Sequence, residues 1–77
     1  MDRKEERIGK VKFYIDEKLF GFLIDEETGE EIYVPVAGLI DFIRKGDRVS
    51  YRLAKGKRGQ EAAEVRLAAE VRLLKKK

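Results

Sequence analysis

KLFGFLI, residues 18–24, is too apolar for a solvent-exposed loop and too short for a buried helix. On a strand, successive side chains point to opposite faces, so one face carries Leu19, Gly21 and Leu23 and the other carries Lys18, Phe20, Phe22 and Ile24. If the leucines face a core, both phenylalanines lie outside, and Gly21 is the inward residue where a strongly bent strand needs room. The pattern alone leaves the opposite assignment open, with Phe20 and Phe22 in the core.

Four further stretches have the composition of strands, namely 9–15, 32–36, 48–53 and 62–67. Residues 37–47 form an irregular connection, with one helical turn predicted at 39–44, and 54–60 form a basic, glycine-bearing loop. Five short strands favour an all-β chain folded as a small five-stranded OB-fold barrel. The predicted core consists of Val11, Leu23, Val34, Val49, Tyr51 and Val65. In 48–53, Arg48, Ser50 and Arg52 are expected to face outward.

The third predicted strand adds another aromatic side chain to the outer face. Ile32 and Val34 point one way, whereas Tyr33 points to the side of Phe20 and Phe22. Exposed neighbouring aromatics lower solubility unless they meet a partner. Bases stack on such rings with about 1–3 kcal/mol per base, so the pattern predicts a platform for single-stranded nucleic acid.

The net charge of +3 conceals an uneven distribution. Residues 16–31 hold seven acids and one base, whereas residues 44–58 hold seven bases and one acid. One interpretation is a solvated, salt-bridged surface. The other is a basic strip that follows a phosphate backbone, with Lys57 and Arg58 among the contacts.

Composition argues against several other functions. Histidine and cysteine are absent, which disfavours transition-metal sites and removes the commonest general base and the thiol nucleophile. Asp25, Glu26 and Glu27 have no nucleophile beside them and are interpreted as a solvated turn. No enzyme activity, cofactor or metal is expected. Without a membrane-spanning run or an apolar leader, we expect no membrane association and a cytoplasmic location. We also expect a monomer.

Three segments resemble the cold-shock domain family. GKVKFYI (9–15) is similar to the family's GKVKWFN, KLFGFL (18–23) to KGFGFI, and IYVPV (32–36) to VFVHF. Residues 46–67 are similar to the family's GQxVxFxxxxGxxGPxAxxV ending. The resemblance covers about residues 8–67 and implies an OB-fold barrel that binds single-stranded RNA or DNA.

Carried over by position, the resemblance implies a binding surface made of Lys12, Phe13, Lys18, Phe20, Phe22 and Tyr33. Strict alternation puts Phe13 on the same face as Val11, so its place on that surface requires a bulge or twist in the first strand. Four positions depart from the family pattern, since Phe13 stands for tryptophan, Leu19 for glycine, Pro35 for histidine and Val36 for phenylalanine. Phe42 stands in for an aromatic residue of the longer family loop, and weaker affinity than the family's is expected.

A structural, designed or protein-interaction barrel with weak or no nucleic-acid binding is the alternative, suggested by the losses at 35–36 and the acidic 25–31 loop. The expected division is a charged lead at 1–7, the domain at 8–67 and a basic extension at 68–77. AAEVRL occurs at 62–67 and again at 68–73, and its second copy is rich in helix formers. The extension is therefore expected to be a short helix or a disordered tail.

Overall fold

A computed structural model of the chain describes residues 6–57 and 59–68. Five strands close into a barrel in the order β1-β2-β3-β5-β4. Their bounds are Arg7–Ile15 (β1), Phe20–Asp25 (β2), Glu31–Pro35 (β3), Arg48–Gly56 (β4) and Gly59–Leu67 (β5). The predicted five-stranded OB-fold barrel is confirmed. Within the described ranges, no helix is long and apolar enough to cross a membrane. The predicted helix or tail after Ala68 lies outside them.

The barrel interior is filled by the residues that the alternating pattern assigns to it. All six predicted core side chains are at most 2% exposed, namely Val11, Leu23, Val34, Val49, Tyr51 and Val65. Ile32, Ile43 and Ala62 complete the same cluster. Because Leu23 points inward, its neighbours on β2 point outward, and the assignment that places Phe20 and Phe22 in the core is wrong.

A parallel contact between β3 and β5 closes the barrel. Tyr33 pairs with Glu61, and Leu39 forms an isolated bridge to Val65. The predicted helical turn at 39–44 is absent; a 3-10 helix occupies Val36–Gly38 instead. The backbone N–H groups of residues 40 and 41 donate to the Val65 carbonyl at 2.9 and 3.2 Å. Since β5 accepts from these donors, the segment is held extended and has no need of helical hydrogen bonds.

Two details of β4 and β5 differ from the sequence-based expectation. The predicted loop at 54–60 is a tight hairpin, in which Lys55 pairs with Gln60 and Gly56 with Gly59. Gly59 has a φ of 110°, a conformation that glycine adopts without a steric penalty. Ser50 is buried and not outward-facing, because the register between β4 and β5 shifts just after it.

A buried carboxylate joins three parts of the barrel, which corrects the interpretation of Asp25 as part of a solvated turn. Asp25 is 1% exposed. Its Oδ1 accepts hydrogen bonds from the backbone N–H groups of Glu27 (2.8 Å) and Thr28 (3.0 Å). Its Oδ2 accepts from the Tyr51 hydroxyl of β4 and, at 3.2 Å, from Arg7 Nη1 of β1. The carboxylate thus fixes the β2–β3 turn to two other strands.

These hydrogen bonds determine the protonation state of the carboxylate. Burial alone raises the pKa of Asp25, but the four donors together outweigh burial and lower it from 3.8 to about 2. The folded pKa lies below the unfolded one, so the ionised carboxylate stabilises the fold above about pH 4. This stabilisation, about 2 kcal/mol, is lost as the pH falls from about 4 to about 2.

We predict that Tyr51→Phe, which removes one donor and keeps the ring, lowers the free energy of unfolding by about 1.5–3 kcal/mol at pH 6. The difference from wild type should shrink as the pH falls from about 4 towards 2, because the carboxylate of the folded protein becomes protonated over this range. Urea unfolding at pH 6 and pH 2.5 measures both values. Tyr14→Phe is the matched control, because the Tyr14 hydroxyl has no hydrogen-bond partner among the described residues. A Tyr51→Phe effect that is as small as the control's, or independent of pH, would contradict the prediction.

Candidate nucleic-acid interface

Four rings meet on the outer face of β1, β2 and β3, and we call them the outer aromatic patch: Phe13, Phe20, Phe22 and Tyr33. Neighbouring ring centroids are 5.6–6.4 Å apart. Phe20 stacks on Tyr33 with an interplanar angle of 29°, whereas Phe20 and Phe22 meet edge to face at 84°. Every ring is half-buried, so each supports its neighbours and keeps part of its surface open to a ligand.

Strand register assembles the patch. Phe13, Phe22 and Tyr33 lie side by side across the three strands, in one row of paired residues. Phe13 reaches this row because β1 has an irregularity between Val11 and Phe13, which confirms the bulge that its outer position requires. Val11 points inward and is buried, and Phe13 points outward after the extra residue, Lys12.

Gly21 allows the bulged strand to approach β2 closely. A Cβ atom at this position would overlap the Phe13 carbonyl oxygen and lie 2.7 Å from Tyr14 Cα and 2.8 Å from Tyr14 Cδ1. The space beside Gly21 is therefore occupied by the backbone of β1 and by the ring of Tyr14. Phe20 and Phe22 therefore place their rings on the outer face, while Gly21 between them lets β1 pack closely on the inner face.

The predicted cationic contacts are distributed around the barrel. Lys12 lies in the β1 bulge beside Phe13, and Lys18 is exposed in the turn between β1 and β2. Lys57 is exposed at the tip of the β4–β5 hairpin, whose β5 arm begins next to β3. Arg58 lies outside the described residues. Lys12 is therefore in the sequence neighbourhood of the patch, and Lys18 precedes the strand that carries Phe20 and Phe22.

Carboxylates partner two arginines of the basic 44–58 run. Arg48 donates two hydrogen bonds to Glu26, at 2.7 and 2.9 Å, and this carboxylate raises the pKa of Arg48. Arg52 Nη1 lies 3.5 Å from Glu64 Oε1. At these two positions the salt-bridged interpretation of the charge pattern is correct, so the run is not a uniform basic strip.

An apolar groove of about 490 Å³ adjoins the outer aromatic patch. Leu19 and Val36 lie in it and are the chain neighbours of Phe20 and Pro35, which pair at the end of the β2–β3 ladder. Phe42 also lines the groove and is 93% exposed. The groove therefore continues the apolar outer surface beyond the Phe20–Pro35 pair, the last pair of the β2–β3 ladder.

The apolar groove also holds polar groups, namely the Tyr14 hydroxyl and the side chains of Asp16 and Arg44. Tyr14 lines it, and burial, with smaller contributions from Asp16 and Tyr33, raises the pKa of the hydroxyl. The group is therefore neutral near pH 7. Its oxygen is buried and has no hydrogen-bond partner among the described residues. Sequence reasoning missed this group, since the alternating pattern marks Tyr14 only as a strand residue.

Comparison with known proteins agrees with this geometry. The profile of the 'cold-shock' DNA-binding domain matches residues 7–68. The chain belongs to the cold-shock domain family. Cold shock-like protein CspD of Bacillus cereus is 38% identical over 61 residues, which cover 74% of this chain and 91% of the relative. Cold shock protein CspB of Bacillus caldolyticus is 34% identical over the same shares. Cold shock-like protein CspA of Vibrio cholerae is 29% identical over 65 residues, covering 79% and 93%.

One departure from the cold-shock domain pattern has a visible backbone consequence. Leu19, which occupies a glycine position of the family motif, has a φ of 60°. For a non-glycine residue this left-handed conformation costs about 1–2 kcal/mol. The leucine side chain is 54% exposed and lines the apolar groove. The chain therefore keeps the turn that glycine favours and adds apolar surface beside the outer aromatic patch.

We predict that Gly21→Ala lowers the free energy of unfolding by about 3 kcal/mol or more, because the added methyl group overlaps backbone atoms that cannot move independently. Chemical denaturation measures the loss. Gly29→Ala is the matched control, since nothing lies within 4 Å of a Cβ built at that turn and only the left-handed φ of 79° imposes a cost, about 1–2 kcal/mol. Equal losses for the two variants would show that the close approach at Gly21 is unimportant.

Proposed function

We propose that this chain is a single-stranded nucleic-acid-binding module of low sequence specificity, acting without catalysis. The observation that carries the proposal is the outer aromatic patch, four adjoining rings on one face of a barrel from the cold-shock domain family. Phe13, Phe20, Phe22 and Tyr33 stack on bases in this proposal. Because stacking reads the flat face of a base and not its edge, sequence preference is weak.

The neighbouring cations are proposed to contact the phosphates of the bound strand. Lys12 and Lys18 adjoin the outer aromatic patch in sequence, Lys57 lies at the tip of the β4–β5 hairpin, and Arg58 follows it in sequence. The proposal also extends the binding surface into the apolar groove, where Phe42 is almost fully exposed. RNA and DNA share the features involved, namely planar bases and a charged backbone.

A protein-interaction or purely structural barrel is the competing proposal. The apolar groove and the ion-paired Arg48 favour it, since neither requires a nucleic acid. The two proposals differ in one measurable respect. Only the nucleic-acid proposal expects a fluorescent hexathymidine or hexauridine to bind at low salt and to be displaced by added salt.

We predict that the slope of log K against log salt concentration for such a strand is roughly −2 to −3, as expected when three or four cations contact phosphates. Fluorescence titration at several salt concentrations measures it. A longer double-stranded DNA that stays paired at these salt concentrations is the comparison ligand, because its base faces are covered. Equal binding of the duplex, or no response to salt, would count against the proposed interface.

We predict that Phe22→Ala weakens single-strand binding by about 1–3 kcal/mol, the range for one stacked base. Its effect on the free energy of unfolding should be smaller than the ~3–5 kcal/mol of a fully buried phenylalanine, because the ring is half-buried. Binding titrations and urea unfolding of the same samples separate the two effects. Leu23→Ala is the adjacent control, with its side chain fully buried, and should mainly destabilise the barrel. If Phe22→Ala unfolds the protein and Leu23→Ala does not, the face assignment is inverted.

A further inference from the structure

One of the proposed phosphate contacts already has an anionic partner within the chain. Lys12 Nζ lies 2.6 Å from Glu31 Oε2, where it donates a hydrogen bond as well as forming an ion pair. The two side chains are 52% and 43% exposed, so the pair lies at the surface and within reach of a ligand. Surface pairs of this kind are weak and can be exchanged for another anion.

Register places this ion pair at the edge of the outer aromatic patch. Phe13, Phe22 and Tyr33 form one row across β1, β2 and β3. Ile24 pairs with Glu31 in the next outward-facing row, towards the β2–β3 turn. Lys12 reaches from the β1 bulge to Glu31 on β3, so the pair spans β2 directly beside the row of rings.

We propose that Glu31 limits the affinity of the interface by occupying the ammonium group of Lys12 in the free protein. This inference rests on the proposed function. A backbone phosphate that reaches Lys12 competes with the Glu31 carboxylate for the positive charge of the ammonium group. After displacement, the carboxylate remains next to the phosphate and repels it. Lys12 therefore contributes less to binding than an unpaired lysine would.

The salt dependence of strand binding should show the same effect of Glu31. A cation contributes to the slope because the phosphate that it neutralises releases condensed counterions from the strand. Lys12 exchanges one carboxylate for one phosphate, and because the Glu31 charge stays beside it, the pair neutralises less phosphate charge than an unpaired lysine would. The slope of the wild-type protein should therefore lie near the shallow end of the range given above, roughly −2. Removing the Glu31 carboxylate should make the slope steeper.

The test is Glu31→Gln, titrated with fluorescent hexathymidine at several salt concentrations. We expect affinity to rise by roughly 1.5- to 5-fold at low salt, the range set by the strength of an exposed ion pair. We expect the slope to steepen by about 0.7, the contribution of one additional phosphate contact on a single strand. Glu27→Gln is the matched control: it removes the same charge from the exposed turn that precedes β3 and leaves the Lys12–Glu31 contact intact.

A double-mutant cycle with Lys12→Gln assigns the effect to the pair. The gain from Glu31→Gln should disappear in the Lys12→Gln background, and Lys12→Gln should weaken binding more in the Glu31→Gln protein than in wild type. A gain that persists without Lys12, or that Glu27→Gln reproduces, would show a general charge effect and overturn the inference. So would weaker binding by Glu31→Gln, which would make Glu31 itself a strand contact.

Failure of this inference is distinguishable from failure of the proposed function. If wild type binds hexathymidine and Glu31→Gln leaves both affinity and slope unchanged, the inference alone is wrong. If neither wild type nor Glu31→Gln binds the strand at low salt, the proposed function is wrong, and the inference falls with it. Thermal unfolding of each variant verifies that the barrel is intact before titration.

Discussion

The close approach of β1 to Gly21 is the constraint on which the interface depends. At this point the backbone of residues 13 and 14 occupies the space that any side chain larger than hydrogen would need. The bulge before Phe13 turns that ring outward, and the ring of Tyr14 lies against the glycine. One local contact thus affects both faces of the sheet, because it packs Tyr14 against Gly21 on one face and places Phe13 in the row of half-buried rings on the other.

Much of this arrangement follows from two-residue periodicity. Leu23 and Val34 alternate with Phe22 and Tyr33, and since a strand has only two faces, burying one set exposes the other. The same argument fails for Phe13 and Ser50, because each lies next to a register shift that local alternation cannot reveal. Family resemblance supplied the position of Phe13, whereas no sequence signal pointed to the burial of Ser50.

Contacts between polar residues far apart in the chain could not be predicted from the sequence. Asp25 and Tyr51 are 26 residues apart, and Lys12 and Glu31 are 19 apart, so no local pattern links them. Composition placed Asp25 in an acidic turn, and only the barrel's closure brings Tyr51 and Arg7 to it. The core carboxylate and the surface pair Lys12–Glu31 also show how burial changes the outcome, since the first is fixed by four donors and the second remains open to exchange.

The parallel pairing of β3 with β5 has a consequence for the order of folding. Residue 33 must find residue 61, and residue 39 must find residue 65, before the barrel closes. Among the described strands β5 is synthesised last, so until then the edge of β3 lacks its partner and its backbone groups can pair with another chain. The incomplete β1-β2-β3 sheet already carries the outer aromatic patch, whose rings do not pack in the barrel core. Co-translational protection of that edge therefore depends on how quickly the last third of the domain leaves the ribosome.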